Sequence, residues 1–109
     1  MRALRQDFNA FASAIVSRDG LIMAGDIPEE VSSETFGIMC ATLLGAASTA
    51  HSELRIGTPL GVIVESEESM MIVVGAGRKA LIVAVVPREA DCEAAKKKLE
   101  ELAETIKVI

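Results

Sequence analysis

Residues 32–55 read SSETFGIMCATLLGAASTAHSELR, and the rest of the chain is interpreted from this stretch. Phe36, Met39, Cys40, Leu43, Leu44, Ala47 and Leu54 recur at the spacing of one apolar stripe on a helix from Ser32 to Arg55. Gly37, Ala41, Gly45, Ser48 and Ser52 form a second stripe made only of small residues. The first stripe is expected to dock on a sheet. The second lets another backbone come close, although each interior Gly costs about 0.5–1 kcal/mol relative to Ala. Such a stripe can face solvent, a neighbouring helix of the same chain, or a helix of a partner. The chain offers few other helices, so the partner helix is the reading adopted. Ser32 or Ser33 is the expected cap, because a hydroxyl accepts from the free N–H groups of the first turn.

Upstream, Arg2 to Asn9 reads as a short helix. Phe11 to Ser17 and Leu21 to Gly25 read as two strands joined by the tight turn Arg18-Asp19-Gly20. Downstream of Gly57 and Pro59 the period changes. Leu60 to Glu65, Met70 to Val74 and Lys79 to Val86 are rich in Val, Ile, Leu and Met and read as three strands. Their joints are short enough for hairpins, which predicts an antiparallel meander. Glu89 to Lys107 closes the chain as a helix with Cys92, Ala95, Leu99, Leu102, Ala103 and Ile106 inward.

The later strands do not alternate between apolar and polar, as a sheet covered on one face would. The expected fold is therefore an α/β/α sandwich. A five-stranded antiparallel sheet carries the long helix on one face and the two terminal helices on the other. The whole chain, residues 1–109, is read as one domain. In the meander the strand Leu60 to Glu65 is free to lie at an edge. Leu60, Gly61, Val62, Ile63 and Val64 carry no charge and no proline, the usual guards of an edge that stays unpaired. An internal position would make that character ordinary. An edge position next to the small-residue helix points to a two-fold dimer built from Gly37, Ala41, Gly45, Ser48, Ser52, Leu60, Val62, Ile63 and Val64.

Composition narrows the function. Half of the residues are hydrophobic, 3% are aromatic, and there is no Trp or Tyr. That argues against stacking platforms for single-stranded nucleic acid. The formal net charge of −5 disfavours a nucleic-acid or anionic-membrane surface. No stretch reads as a signal peptide or as a membrane span. Cys40 and Cys92 belong to no CxxC or Cys/His cluster and are expected as small buried thiols in a reducing cytoplasm.

The order of elements resembles the Roadblock domain (dynein light-chain type), which includes bacterial and archaeal partners of small Ras-like GTPases. The resemblance rests on Ala14-Ile15-Val16-Ser17-Arg18-Asp19-Gly20-Leu21-Ile22, on the small-rich helix Ala41 to Leu54, and on Gly61-Val62-Ile63-Val64-Glu65. It implies an α/β/α sandwich that forms homodimers or pairs with a paralogue, joining sheets at the edge strand and pairing the long helices. It further implies a platform for a small GTPase, on which hydrolysis can be stimulated without a donated arginine.

Catalytic chemistry is sparse. His51 is the single histidine, and neighbouring Glu53 points to a different helix face, so no triad is expected. One His and two distant Cys make a poor metal site, and no cofactor is expected. Gly75-Ala76-Gly77-Arg78-Lys79 lacks the length and the Ser/Thr of a phosphate loop and reads as a hairpin turn. Arg18 and Arg78 should fall at the same end of an antiparallel sheet, where a trans-acting arginine could sit. The leading expectation is a non-catalytic dimeric scaffold that regulates a small Ras-like GTPase. A small-molecule sensor and a light-chain-type adaptor without a GTPase are the alternatives.

Overall fold

The computed structural model describes residues 2–107, with side chains from 3 to 106. Helix α1 (Arg2–Phe8) precedes the hairpin β1 (Ala12–Ser17) and β2 (Ile22–Asp26). The long helix α2 (Ser33–Leu54) is followed by β3 (Gly61–Glu65), β4 (Ser69–Ala76), β5 (Ala80–Pro87) and α3 (Cys92–Lys107). The strands form one sheet in the order β2-β1-β5-β4-β3, with every neighbouring pair antiparallel. The expected sandwich and the edge position of β3 are both found.

The two faces of the sheet carry separate cores because side chains alternate along each strand. Cys40 and Leu44 of α2 pack with Ala14, Val16, Val73, Leu81 and Val83 on one face. Leu4 of α1 and Ala95, Leu99 and Ala103 of α3 pack with Ile72, Val74, Ile82, Ala84 and Val86 on the other. The central strands β4 and β5 are thus buried on both sides, as their unbroken apolar runs require.

Helix α2 starts where Ser32 accepts the N–H of Thr35, and ends at Arg55, whose left-handed backbone turns its N–H onto the last carbonyls. Helix α3 starts at Cys92, three residues later than the apolar spacing suggested. The delay has a cause: Ala90 N–H closes a turn on Pro87, and Asp91 accepts the N–H of Ala94 as a cap.

The apolar stripe of α2 needs one correction. Met39 and Leu54 were expected against the sheet, yet both are exposed. The buried line runs through Gly37, Cys40 and Leu44, which turns Met39 away from the core. Leu54 overhangs for a different reason. A helix of 22 residues is about 33 Å long, whereas an eight-residue strand spans only about 27 Å.

Gly37 belongs to this buried line. The carbonyl of Gly20, in the β1–β2 turn, stands where a Gly37 Cβ would be. Gly20 itself has φ +98°, a conformation natural to glycine alone, and its own Cβ would lie 2.8 Å from the Cα of Ile38. Turn and helix therefore touch backbone to backbone. Around them Ser17 binds Asp19 and accepts the N–H of Leu21 at 2.9 Å.

Candidate interaction surface on the long helix and the free sheet edge

Between Glu34 and Glu53 the helix α2 carries no Asp, Glu, Lys or Arg. Its outward residues include Ile38, Met39, Thr42, Gly45, Ala46, Thr49 and Ala50. Three hydroxyls in the middle of this helix are turned back into it. Thr42 donates to the Ile38 carbonyl at 2.7 Å, Ser48 to Leu44 at 3.0 Å, and Thr49 to Gly45 at 3.1 Å. A hydroxyl satisfied by the preceding turn makes little further demand on water. What reads as a polar run in sequence is thus a largely apolar surface.

Gly45 stands open, with nothing near the place of a Cβ. Of the small-residue stripe, Gly37 is covered by the β1–β2 turn of its own chain, and Ala41 packs partly against the core below α2. Ser48 is half-buried and Ser52 is exposed. The stripe therefore divides. Its first half is satisfied within the chain, and its second half faces outward.

The free edge at β3 lies next to the end of this helix. Its pairing with β4 runs without interruption from Gly61↔Val74 to Glu65↔Met70, so the outer side of β3 offers a regular row of backbone groups. Val62 and Val64 lie on the α2 side of the sheet, and Ile63 on the α3 side. Leu60 is 82% exposed, Ile63 44% and Val64 40%. Leu54 and Ile56, at the end of α2 and just past it, extend the patch.

The opposite edge is different. In β2 the register passes from Ile15↔Ala24 to Val16↔Ile22, leaving Met23 as a bulge. Its far end is held by an ion pair between Arg5 and Asp26 at 2.9 Å. Bulges twist an edge away from further pairing, so of the two borders only β3 is regular.

The candidate catalytic groups are not brought together. His51 Nδ1 lies 2.9 Å from the Ala47 carbonyl, which makes Nδ1 the protonated nitrogen. Its ring borders a hollow of about 440 Å³ with Leu60, Val62, Lys96 and Glu100. Among the described residues no carboxylate orients it as the base of a triad would be oriented. Among the described residues no group of three His, Cys, Asp or Glu stands close enough to hold a metal. Arg18 and the Arg78 turn do share one end of the sheet. Arg18 donates to the Gly77 carbonyl at 2.6 Å and so clasps the two turns together. Cys40 is buried and unpaired, and burial pushes its thiol up to about 11. That thiol is a core group with little nucleophilic form at neutral pH.

A five-stranded antiparallel sheet between one long helix and two terminal helices defines the Roadblock and profilin-like class of α/β/α domains. A Roadblock/LC7 domain model matches residues 3–86, and the chain belongs to that family. It is 34% identical over 71 residues to an uncharacterized protein of Methanocaldococcus jannaschii. That match covers 65% of this chain and 62% of the relative, so the similarity spans about three fifths of the longer protein. Among solved structures, a Roadblock/LC7 domain from Streptomyces avermitilis superposes with a TM-score of 0.90 at 20% identity, covering 99% of this chain and 92% of that one. An MglB with a tetrameric arrangement gives 0.87 at 19% identity, covering 98% and 82%. Profilin IB of Acanthamoeba castellanii gives 0.67 at 18%, covering 94% and 87%. At these identities the structural likeness speaks to the fold.

Proposed function

We propose that the chain is a non-catalytic scaffold that pairs through α2 and the β3 edge, with itself or a Roadblock paralogue. The paired surface would bind and regulate a small Ras-like GTPase in the cytoplasm. The observation that carries this reading is the succession of two unprotected elements. A stretch of α2 without Asp, Glu, Lys or Arg for 18 residues, Thr35 to Ser52, is followed, past the exposed Glu53 and Arg55, by a regular strand edge without charge from Leu60 to Val64. Joined edges would satisfy the open backbone row, and α2 against α2 would remove apolar surface from water. Family membership supports the GTPase, since the resemblance drawn from the sequence implied that class of partner. The MglB with a tetrameric arrangement supports self-association by analogy. Two unpaired cysteines suit a reducing compartment, and no described helix is long and apolar enough to cross a membrane.

The test combines light scattering of the purified chain with GTP turnover by small Ras-like GTPases from the same genome. A dimer that changes turnover, or co-elutes with one GTPase, is the expected result. A monomer at high concentration overturns the scaffold. A dimer that neither binds nor alters any GTPase leaves the light-chain-type adaptor. The sensor alternative is favoured by a separate observation on the opposite face of the sheet.

A further inference from the structure

Coverage of the sheet on the α3 side is uneven. Helix α3 packs on β4 and β5, and the short α1 packs on β1 and β5. Toward the β1–β2 turn this leaves the paired β1 and β2 without a helix packed over them among the described residues. A groove of about 600 Å³ results, within the range of small-molecule sites. Ile15, Ala24 and Ala80 line its floor, and Ile106 of α3 forms one wall. The bulge in β2 brings Met23, 62% exposed, to the rim as a flexible apolar flap.

Charge distinguishes this groove from an ordinary gap. Arg78 and Lys79 of the β4–β5 turn line one end, and among the described residues no Asp or Glu lines any part of it. Neither cation belongs to an ion pair among the described residues; the two pairs present use Arg5 and Arg88. In a chain of net charge −5, two neighbouring cations beside apolar surface form a local exception. Their turn is held in place, because Arg18 donates to the Gly77 carbonyl and its own N–H to the Lys79 carbonyl at 3.0 Å. The ligand chemistry follows. Among the described residues no aromatic side chain lines the groove, which removes the stacking surface that proline-rich peptides or free bases need. An apolar floor with cations at one end fits a hydrocarbon chain ending in a carboxylate.

We propose that this groove binds a free single-chain carboxylate of the fatty-acid class, its chain over Ile15, Ala24 and Ile106 and its head on Arg78 and Lys79. The site lies on the sheet face opposite α2 and stands independently of the scaffold reading. Each methylene that enters such a groove tightens binding by about two- to fourfold.

The probe is dodecanoate, kept below its micelle concentration and titrated into the full chain by calorimetry and methyl NMR. Saturable one-to-one binding is expected, with the largest shifts at Ile15, Met23, Ala24 and Ile106. Decanoate should bind more weakly, and dodecyltrimethylammonium should not compete. Reversing both cations, Arg78→Glu with Lys79→Glu, should weaken binding by about tenfold without changing the melting temperature. Ala24→Phe should fill the floor and abolish binding; should that variant fail to fold, the charge reversal decides alone. Absence of saturation overturns the site. So do equal binding of the cationic amphiphile, the largest shifts at Leu60 and Ile63, or attachment to phosphatidylcholine vesicles without binding of monomeric dodecanoate.

Discussion

The carbonyl oxygen of Gly20 occupies the place that a Cβ would take on Gly37. This contact seats the N-terminal half of α2 on the β1–β2 turn with no side chain between them. Gly37→Ala therefore forces turn and helix apart and should destabilise the fold by about 1–3 kcal/mol. Urea unfolding of the variant beside the parent chain measures it.

Gly45 provides the opposite case on the same helix. With open space at its Cβ position, Gly45→Ala should stabilise the folded chain by about 0.5–1 kcal/mol through helix propensity alone. Gly45→Leu should leave helicity intact and reduce self-association, as light scattering and circular dichroism together would report. An unchanged mass for the Leu variant would place the helix contact elsewhere.

At the β3 edge, Ile63→Lys and Val64→Lys put cations on a strand that lacks them. Both side chains are partly exposed, so the cost to folding should stay within about 1 kcal/mol. Charges at an open edge oppose pairing with a second strand. The expected outcome is a folded monomer in sedimentation experiments, with any GTPase response lost along with the dimer.

Cys40 gives a pH-dependent prediction. Its folded pKa of about 11 lies above the ordinary thiol value near 9, so folding disfavours the thiolate. Below about pH 9 both states hold the proton and stability is unaffected. From pH 9 toward 11 the unfolded chain releases its proton while the folded chain keeps it, and stability falls as pH rises. Unfolding curves across that window should show the loss, and Cys40→Ser should remove it. At about pH 8 a thiol reagent should label Cys92 quickly and Cys40 only on unfolding.

Arg18→Ala removes the clasp on Gly77. Since the bond is exposed, the loss should be about 0.5–1.5 kcal/mol. Stimulation of a GTPase, where present, should survive the change, because Arg18 is tied to its own chain. Turnover assays on the variant decide between this structural role and a trans-acting one.

Much of this fold was legible because its signals are local. The Ser32 cap, the Gly20 turn and the strand runs all declare themselves within a few residues. The orientation of α2 was less legible. Its two stripes are both weakly polar, and a glycine's lack of side chain does not say whether the neighbour is its own chain or another. Gly37 and Gly45 look alike in sequence, and only the three-dimensional position of Gly20 separates them. The exposure of Met39 and Leu54 was missed for a related reason: an apolar side chain satisfies the helical period whether or not a sheet lies beneath it. The groove left no sequence signal, because it depends on how far α3 reaches sideways across the strands.

The unequal borders of the sheet limit how far such molecules could grow. If two copies fuse along β3, the joint ribbon ends on both flanks in a β2 strand kinked at Met23 and pinned by Arg5. Neither flank presents a straight template for a third copy. Edge-to-edge addition would then stop after a single step, and a protein with adhesive strands would be protected from becoming a fibre.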